Sequence, residues 1–599
     1  MAARSADIPF LRVPVGPDAH RWSTFPGERR LVVATRTLTS TIRALETLPP
    51  VLRADPRVSV VFAHDPTSAF SDGSLDLLHD AGCRVMPWEQ LPYAAPDLIL
   101  STSENIDVSE GECPVLVLPH GIGFQKYVPD SRSPRRRLSG VAPDALFEAG
   151  RAWTAVSHPE QERQLLAAHP KSAGRTLLVG DPCLDELLVS ADRRGDYRRA
   201  LGVADGQRLV LVTSTWGPTS LIGRDPGLPA RLLADLPWDE YRVALVLHPN
   251  VWSAHGAWHL RALLAEALDA GLLLIPPVHD WRPALVAADA VIGDHGSVTL
   301  YGAALAKPLA LAAHGEEAVP GTAAADLAEL APRFEPQGGP LRQIEAVLRA
   351  HADQPERYAP AVSRAFDEPG TALTRLRTAL YGLLRLEPPP TPPPAPLVLV
   401  PPGPLATNVT SWVVGTRIET EEAGRTAVTV RRVPAAVGEA WSEEGEGGAG
   451  DGCFSHLSVR PGEERDQRLT ESASVLVASD PAPTAAAARS WGRDALATWP
   501  GSLLAATALT SGDCLVVLRD GRTVLASADA GNPDRGAATA CAESPDPGAA
   551  SARAGNLDPG LVSAALYTCL RAGRPPAAGS VTLRVGAHRD DVLLSSWAP

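Results

Sequence analysis

The sequence has few cysteines, and they are not arranged for metal binding or for disulfide pairing. There is no CxxC pair and no regular spacing among them. Zinc sites and disulfide-rich scaffolds need such spacings, so we expect neither, and we expect reduced thiols of the kind found in the cytosol. The seven cysteines are Cys83, Cys113, Cys183, Cys453, Cys514, Cys541 and Cys569.

The chain also lacks long hydrophobic runs. Its start, "MAARSADIPFLRVPVGPDAHRW", has no apolar core long enough for a signal peptide. No run of about 18 apolar residues occurs, so no membrane-spanning helix is predicted. We therefore expect a soluble, cytoplasmic protein, with peripheral attachment to the inner face of the membrane as the alternative.

Positive charge is not in excess either. The net charge is -14 and the pI is about 5.6. This excludes the basic footprint of a general nucleic-acid binder, so no nucleic acid is expected as a partner. One basic segment, "SRSPRRRLSG" at 131–140, is expected to be a solvated loop, and its alternative role is contact with anionic lipid or substrate.

Short apolar runs alternate with helical patterns through the first 386 residues. The runs are rich in Val, Ile and Leu and end in polar residues, Gly or Pro, which is typical of strands buried on both faces. Alternation of strand and helix predicts parallel sheets with right-handed crossovers. The eleven runs lie at 30–36, 58–64, 97–103, 114–121, 152–158, 176–182, 208–217, 241–250, 271–277, 289–296 and 307–313.

Eleven strands exceed one ordinary sheet, and a break near residues 190–207 divides them. We therefore predict an α/β fold with two doubly wound parallel-sheet domains and a smaller domain after a Pro-rich spacer. The predicted organisation is an N-terminal extension at 1–24, Rossmann-like domains at 25–190 and 207–386, a Pro-rich linker at 387–404 and an accessory domain at 405–599.

The predicted accessory domain has a different pattern. "TSWVVGTRI", "RTAVTVRRV" and "CFSHLSVRP" predict the strands of a meander, "TAAAARSWGRDALATW" predicts a helix, and "CLVVLRDGRTVLASA" predicts a hairpin with an Asp-Gly turn. Stretches rich in Gly and Ala at 445–452 and 528–555 predict mobile loops. Together they indicate a small α+β domain, which has no catalytic pattern and whose role is left open.

Polar residues follow several of the predicted strands. Ligands of doubly wound sheets bind outside the carboxyl ends of the strands. A single His or Ser at such a position is more often structural, but the same pattern in two consecutive halves favours a binding site. The residues are His120 and Gly121 in the first half, and Ser214, Thr215, His248, Asp294, His295, Gly296 and Ser297 in the second.

The tetrapeptide "DHGS" at 294–297 separates a predicted strand from a predicted helix. A Gly-Ser turn into a helix presents free N–H groups and the positive end of the helix dipole, which together favour phosphate. Gly296 would let a ligand approach the backbone closely. The hydroxyl of Ser297 would either donate to a phosphate oxygen or cap the helix.

Five segments in a fixed order carry a resemblance to a known family. They are "PHGIGFQK" (119–126), "GDPCLD" (180–185), "STWG" (214–217), "VLHP" (246–249) and "DHGS" (294–297), the last followed by "KP" at 307–308. Over about residues 25–385 the chain resembles the CDP-glycerol glycerophosphotransferases, a family of GT-B-type transferases related to the UDP-N-acetylglucosamine 2-epimerases. The resemblance implies two GT-B-like domains that face a cleft.

The resemblance also implies roles for the residues at the strand ends. His120 would be the general base that activates an acceptor hydroxyl, and His248 would lie near the diphosphate of the donor. A CDP- or UDP-linked donor and a hydroxyl acceptor are the implied partners, with no metal and no separate cofactor. The implied nucleotide-binding residues are Gly121, Ser214, Thr215, Asp294, His295, Gly296 and Ser297.

Three positions depart from the pattern of the family. Val246 and Cys183 stand where the family has arginines, and Pro119 stands where it has a tryptophan. We expect a transferase that moves glycerophosphate or a sugar in cell-envelope or secondary-metabolite synthesis. The alternatives are a nucleotide-sugar epimerase and a non-catalytic nucleotide-binding or regulatory protein on the same fold. The oligomeric state is left open.

Overall fold

The structure is a computed structural model of the 599-residue chain. It describes residues 21, 23–25, 27–108, 111–129, 136–405, 409–420, 425–438, 452–529, 556–574 and 579–597. Most of the predicted N-terminal extension, half of the basic segment and most of both predicted mobile loops lie outside these residues.

The chain forms two compact units. The first contains Met1–Leu228, Ala244–Leu263 and Leu273–Leu405. The second contains Pro229–Val243, Leu264–Leu272 and Ala406–Pro599. Two short segments that precede the Pro-rich stretch therefore belong to the second unit, where Arg432 Nε donates to Asp239 Oδ2 at 3.0 Å.

A sheet of seven parallel strands begins the first unit. Its strands are β1 Arg29–Thr35, β2 Val58–His64, β3 Val85–Pro87, β4 Leu98–Ser101, β5 Val115–Val117, β8 Ala152–Val156 and β9 Thr176–Leu178. They lie in the order β3-β2-β1-β4-β5-β8-β9. Between β5 and β8, the strands β6 Tyr127–Pro129 and β7 Arg136–Leu138 form an antiparallel pair.

The second sheet has five strands in the same kind of winding. They are β10 Arg208–Ser214, β11 Tyr241–Leu247, β12 Leu273–Ile275, β13 Ala290–Gly293 and β14 Leu309–Leu311. Their order is β12-β11-β10-β13-β14. Each sheet thus reverses its strand order beside its first strand, between β1 and β4 or between β10 and β13, and ligands of such sheets bind at that reversal.

Helices connect these strands. They are α1 Leu38–Val51, α2 Ser74–Asp80, α3 Asp144–Glu148, α4 Pro159–Ala168, α5 Pro182–Val189, α6 Arg194–Ala200, α7 Leu221–Arg224, α8 Leu228–Asp235, α9 Pro249–Leu263, α10 Ala265–Asp269, α11 Trp281–Ala287, α12 Ser297–Ala304, α13 Ala323–Leu330, α14 Pro340–Asp353, α15 Ala359–Val362 and α16 Ala372–Leu384.

All eleven predicted strands are present, and the predicted break separates the two sheets. Parallel sheets covered by helices fit a GT-B-like α/β fold. The short strands β3, β6 and β7 were not predicted, because three residues are too few to show a periodicity.

Helix α16 lies in the core of the first sheet, although it follows the second sheet in the chain. Leu376, Leu380 and Tyr381 are buried there among strand residues that include Leu31. The Tyr381 hydroxyl donates to Asp55 Oδ2 at 2.7 Å. Sequence analysis grouped this helix with residues 207–386, because apolar spacing predicts a helix but not the sheet that it covers.

The second unit contains a closed barrel of nine strands. They are β15 Ser411–Thr420, β16 Thr426–Pro434, β17 Cys453–Val459, β18 Val475–Val477, β19 Leu504–Ala508, β20 Cys514–Leu518, β21 Thr523–Ala528, β22 Gly579–Val585 and β23 His588–Ser596. The order around the barrel is β15-β16-β22-β23-β21-β20-β19-β18-β17, and β17 pairs with β15.

Three helices accompany the barrel, namely α17 Gln467–Ser472, α18 Ala485–Thr498 and α19 Pro559–Arg571. Residues of α19 such as Leu566 join the cluster formed by the inward-facing strand residues, so α19 lies inside the barrel. Leu496 of α18 packs instead with Ala505 and Val517, on the other face of the strands.

The predicted strands, helix and hairpin of this region are all present, but the meander is wrong. β15 lies between β16 and β17, so the third strand pairs with the first rather than with the second. Alternation of polar and apolar residues predicts a strand but not its partner when a long connection intervenes. The small α+β domain is thus a mixed barrel around a helix.

None of the helices in the part of the chain that the structure describes is long and apolar enough to cross a membrane. In the same part, no group of three or more His, Cys, Asp or Glu side chains is arranged as metal ligands.

Candidate functional site

A cavity of about 590 Å³ lies in the first unit, at the carboxyl ends of strands from both of its sheets. The segments after β1, β2, β4, β5 and β9 of the first sheet supply lining residues, and so do those after β10, β11, β12 and β13 of the second. This is the position expected for ligands of doubly wound sheets, and the volume lies in the range of small-molecule sites.

His120 enters the cavity from the segment after β5 and is accessible to solvent there. The backbone of Thr102 lies near its ring and favours the protonated form. The surrounding protein desolvates the ring and lowers the pKa of His120, while Glu104 and the Thr102 backbone oppose this effect. The imidazole is therefore neutral at pH 7, the state that a general base requires.

Glu104 follows β4 and is buried beside His120. Burial alone would raise the pKa of Glu104, but Arg137 and His120 outweigh this effect and hold the pKa below its ordinary value. Arg137 Nη2 donates to Glu104 Oε1 at 3.0 Å. A carboxylate near the imidazole favours the imidazolium that forms when the base accepts a proton.

His248 follows β11, and its ring centroid lies 6.5 Å from that of His120, with an interplanar angle of 71°. Its Nδ1 accepts a hydrogen bond from the Asn250 N–H at 3.1 Å. Burial, Lys126 and His120 together place the pKa of His248 well below its ordinary value. The ring is therefore neutral and carries its proton on Nε2, where it is a donor.

Lys126 also reaches the cavity, from the segment between β5 and β6. Its Nζ donates to Thr215 Oγ1 at 3.2 Å and lies 4.9 Å from the ring centroid of Trp216. Trp216 in turn contacts Phe70, with ring centroids 5.4 Å apart. Burial lowers the pKa of Lys126, although neighbouring carboxylates oppose the change.

Ser297 is the first residue of α12, and Gly296 before it is the N-cap. The cap makes no side-chain hydrogen bond, so Ser297 does not cap the helix. Its Oγ instead accepts the N–H of Ile122 at 3.3 Å. The start of α12 is thereby joined to the segment that carries His120.

Asp294 lies behind the cavity wall and is 1% exposed. Its Oδ2 accepts the N–H groups of Thr215 and Leu221, each at 2.9 Å, and its Oδ1 accepts the N–H of Gly296 at 3.0 Å. Asp294 therefore holds two wall segments together. The resemblance implied a phosphate-binding role for it, but its carboxylate oxygens already have these donors.

Ser214 ends β10 and Thr215 follows it, and both lie at the cavity wall. The Ser214 hydroxyl accepts the Ile222 N–H at 3.0 Å and contacts Asp294 Oδ2 at 3.4 Å, so it mainly supports the wall. Thr215 instead presents its hydroxyl to Lys126.

Two glycines allow close packing of the cavity wall. A Cβ added at Gly121 would lie 3.0 Å from Ser297 Oγ, and one at Gly296 would lie 3.2 Å from Thr215 Cβ. Gly296 has φ of -80°, which any residue can adopt. An added side chain would therefore tighten the packing at both glycines, while the backbone conformation of Gly296 does not itself require glycine.

The side chain of His295 is fully buried and turned toward the loop after β14. Its Nδ1 accepts the Gly315 N–H at 3.2 Å, and its Nε2 lies 2.8 Å from Glu317 Oε1. The imidazole of His295 thus binds protein atoms, although the residue was predicted to bind nucleotide.

Cys183 and Val246, which replace arginines of the family, both line the cavity. Near Cys183, Arg43 of α1 pairs with Asp181 at 3.4 Å, and both side chains are buried. Tyr301 also donates to Asp181, at 2.8 Å. Arg43 also lines the cavity, so a buried cation paired with Asp181 lies beside Cys183.

All of the predicted site residues except Asp294 line one cavity, namely His120, Gly121, Ser214, Thr215, His248, His295, Gly296 and Ser297. The residues predicted for the site did not include Glu104, Lys126, Trp216 or Phe70, which also line the cavity. Arg137 lines it too, and it belongs to the basic segment whose alternative role was contact with anionic lipid or substrate. Glu104 could have been found from the sequence, because it follows the predicted strand at 97–103 just as the predicted site residues follow other predicted strands.

No protein-family model matches the chain, and no curated protein matches it. Solved structures do. The wall teichoic acid polymerase TagF is 13% identical, with a TM-score of 0.41 over 59% of this chain and 89% of that one. The UDP-GlcNAc 2-epimerase from Neisseria meningitidis bound to UDP-GlcNAc is 14% identical, with a TM-score of 0.39 over 59% and 100%. The MnaA–UDP structure from S. aureus is 11% identical, with a TM-score of 0.38 over 63% and 100%.

The chain is thus similar in structure to TagF, a CDP-glycerol glycerophosphotransferase, and to UDP-GlcNAc 2-epimerases, the two groups that the sequence resemblance named. At these identities and TM-scores, the likeness carries no argument about the reaction.

Proposed function

We propose that the chain is a GT-B-like transferase that moves glycerophosphate or a sugar from a CDP- or UDP-linked donor to a hydroxyl acceptor. One observation carries the proposal. The cavity brings together a solvent-accessible neutral imidazole, a second neutral imidazole with a free N–H, a lysine and the first turn of a helix. The first imidazole can act as a base, and the second imidazole, the lysine and the start of the helix can each bind an anion.

His120 is the proposed base for the acceptor hydroxyl. Its ring is exposed to the cavity, so a ring nitrogen of the neutral imidazole can accept the hydroxyl proton. Glu104 favours the imidazolium once the proton has moved. A positioned base of this kind contributes about 10²–10⁴-fold to the rate.

The donor's phosphates are the proposed ligands of His248, Lys126 and the start of α12. The Nε2–H of His248 and the ammonium of Lys126 are hydrogen-bond donors, and the first turn of a helix favours anions. Ser297 contributes a hydroxyl whose oxygen accepts from Ile122 and whose proton can be donated to a phosphate oxygen. Lys126 thereby supplies positive charge that Val246 and Cys183 do not.

In the reaction, the acceptor oxygen forms a bond to the β-phosphorus of a CDP-glycerol donor or to the anomeric carbon of a sugar donor. The bond from that atom to the nucleotide breaks, and the leaving nucleotide takes the electron pair. The proton of the acceptor moves to His120. Donors aimed at the leaving phosphate stabilise the charge that develops on it.

A ligand screen followed by a transfer assay tests the proposal. CDP-glycerol, UDP-sugars, GDP-sugars and dTDP-sugars would be compared by thermal shift, because a ligand at 100 times its Kd stabilises the fold by about 2.7 kcal/mol. A bound donor would then be incubated with polyol and sugar acceptors, and nucleotide release would be followed. We expect CDP- or UDP-linked donors to bind and release to require an acceptor.

Other outcomes would identify the alternatives. An altered nucleotide sugar formed without an acceptor would indicate an epimerase. Tight binding with no turnover for any acceptor would indicate a binding protein. If no nucleotide conjugate shifted the unfolding temperature, the proposal would be wrong.

A further inference from the structure

Arg43 brings a positive charge to the cavity from the side of the first sheet. It lies on α1, its side chain is 5% exposed, and it is among the residues that line the cavity. A guanidinium carries five N–H donors in a fixed plane, so a buried arginine needs several acceptors. The number of acceptors that the protein supplies therefore distinguishes a structural arginine from one that binds a ligand.

The protein occupies only one edge of this guanidinium. Nη2 of Arg43 donates to Asp181 Oδ1 at 3.4 Å, which is long for a hydrogen bond between two charged groups. Within the described residues, the Nε of Arg43 is buried with no acceptor, and its Nη1 makes no hydrogen bond. Nη1 is therefore the nitrogen that remains for a ligand in the cavity that Arg43 lines.

The carboxylate of Asp181 is shared with other donors. Its Oδ1 also accepts the N–H groups of Cys183 at 2.8 Å and of Leu184 at 3.0 Å, both closer than the nitrogen of Arg43. Its Oδ2 accepts the hydroxyl of Tyr301 at 2.8 Å. Asp181 thus has four donors, of which Arg43 is the most distant.

Glu46, one turn along α1, is the other acid near Arg43. Its Oε1 is bonded elsewhere, because it accepts from Arg282 Nη2 and lies 2.9 Å from His279 Nδ1. An oxyanion in the cavity would supply the acceptors that these two acids do not. The planar fork of a guanidinium matches the oxygens of a phosphate group.

Tyr301 connects Arg43 to the helix at the proposed phosphate site. It lies one turn after Ser297 in α12, and both residues line the cavity. Its hydroxyl donates to the same carboxylate that holds Arg43. Two features suited to an anion, a buried guanidinium and the first turn of a helix, therefore belong to one connected part of the cavity wall.

We infer that Arg43 is an anion-binding residue of the cavity. Its guanidinium, held along one edge by Asp181, donates from Nη1 to a phosphate oxygen of the substrate. The inference deepens the proposed function and rests on it for the source of that phosphate, which is either the diphosphate of the donor or a phosphate group on the acceptor.

Two substitutions break the pair of Arg43 and Asp181 from opposite sides. Arg43→Met removes the cation and should weaken phosphate binding about 10–100-fold, as expected for the loss of a hydrogen bond to a charged group. Asp181→Asn keeps the shape of the side chain and removes a negative charge beside the anion, so it should tighten binding. Both should lower the free energy of unfolding, so a loss of stability cannot account for opposite changes in affinity.

A double variant and a distant arginine serve as controls. Arg43→Met combined with Asp181→Asn leaves neither charge of the pair unbalanced, so it covers the case in which Arg43→Met alone folds poorly. It should bind phosphate as weakly as Arg43→Met. Arg432→Met also removes a buried, ion-paired arginine, but one in the second unit, and it should leave phosphate affinity unchanged.

Calorimetric titration of the full-length protein with pyrophosphate, CDP, UDP and glycerol 3-phosphate measures the affinities, and urea denaturation measures stability. Weaker binding of CDP and UDP by Arg43→Met would assign the phosphate to the donor. A loss confined to glycerol 3-phosphate would assign it to the acceptor. Either result supports the anion-binding role of Arg43.

Wild-type affinity for every probe in Arg43→Met would overturn the inference. So would weaker binding in Asp181→Asn, because the pair would then act only by holding the cavity wall, and so would failure of wild type to bind any probe. If pyrophosphate binding depends on Arg43 while no nucleotide-linked donor is bound or turned over, the proposed function fails and the anion site stands. If donors are turned over while Arg43→Met binds them like wild type, the proposed function stands and the anion site fails.

Discussion

Ser297 Oγ accepts a hydrogen bond from the backbone N–H of Ile122 at 3.3 Å. Ser297 begins the helix after β13 of the second sheet, and Ile122 follows β5 of the first. Ser297, which was predicted from the sequence to bind phosphate, is thus also hydrogen-bonded to the segment that carries His120, the proposed base. Substitutions at this link should affect both folding and binding, and the two effects are separable.

Ser297→Ala should weaken binding of the nucleotide donor by about 1.5–3 kcal/mol, the range for a hydrogen bond to a charged group. Loss of the bond from Ile122 should lower the free energy of unfolding by about 0.5–1.5 kcal/mol. Calorimetric titration and urea denaturation of the same variant measure the two effects. Ser472→Ala, at an exposed position, is the control and should change neither. Nucleotide affinity equal to wild type would remove Ser297 from the phosphate site.

Gly121 and Ser297 should be energetically coupled. A Cβ at position 121 would lie 3.0 Å from Ser297 Oγ but 3.5 Å from Ser297 Cβ. Gly121→Ala should therefore be destabilising alone and better tolerated with Ser297→Ala. A double-mutant cycle in the free energy of unfolding should show coupling of about 0.5–3 kcal/mol. If the two changes add to within about 0.5 kcal/mol, the close approach seen here does not exist in solution.

His120→Gln should leave nucleotide affinity unchanged and reduce transfer by about 10²–10⁴-fold. The reason is that glutamine keeps polar atoms at this position but cannot accept the proton of the acceptor. Turnover and calorimetric affinity measured on the same preparation test this. Transfer within threefold of wild type would show that another group is the base.

The pH dependence of transfer carries a second signature of His120. Its folded-state pKa lies below the ordinary histidine value because of desolvation, so the neutral base persists to lower pH than in an exposed histidine. The rate should therefore fall only below that ordinary value as pH decreases. Arg137→Met removes the ion-pair partner of Glu104. The Glu104 carboxylate should then stabilise the His120 imidazolium more strongly, which moves the acid limb of the rate profile to higher pH. An acid limb that does not move would rule out this electrostatic coupling.

His456 should make the second unit sensitive to acid. It is buried against the ring of Tyr567, with centroids 4.3 Å apart, and burial lowers its pKa to about 3. Because the unfolded chain binds the proton near pH 6.5 and the folded chain does not, stability is complete above pH 6.5. It should fall by about 1.4 kcal/mol for each pH unit below that value, until the folded pKa is reached.

Scanning calorimetry at pH 8, 6 and 5 measures this loss. His456→Phe has no titrating group and should lower the unfolding temperature less on acidification than wild type does. His588→Ala, at an exposed position of β23, is the control and should keep the wild-type slope. An unchanged slope in His456→Phe would locate the acid sensitivity elsewhere.

The parallel sheets were predictable because their strands are buried on both faces and therefore appear in the sequence as short apolar runs. The run at 208–217, for instance, predicted β10, whose residues are almost all buried. The position of α16 was not predictable, because the apolar face that includes Leu376 and Leu380 would fit either sheet. Closure of the barrel was not predictable either, since it depends on pairing between β15 and β17 across a long connection.

The candidate site was predictable to the extent that it follows strand ends. His120, His248 and Ser297 all reach the cavity for that reason. The orientation of a side chain was not predictable, and Asp294 and His295 turn away to bind protein atoms. Lys126 reaches the cavity because the loop after β14 lies against its backbone, a contact between segments nearly 200 residues apart.

The outermost strands of the two parallel sheets are all short. β3, β9, β12 and β14 each have three residues. An exposed strand edge is a template on which a second chain can pair and aggregate, and very short edges limit this. The barrel has no open edge among its described strands, because its ring of strands is closed. Strand-to-strand association between copies is therefore disfavoured throughout the described chain, which bears on how concentrated the protein can become before it precipitates.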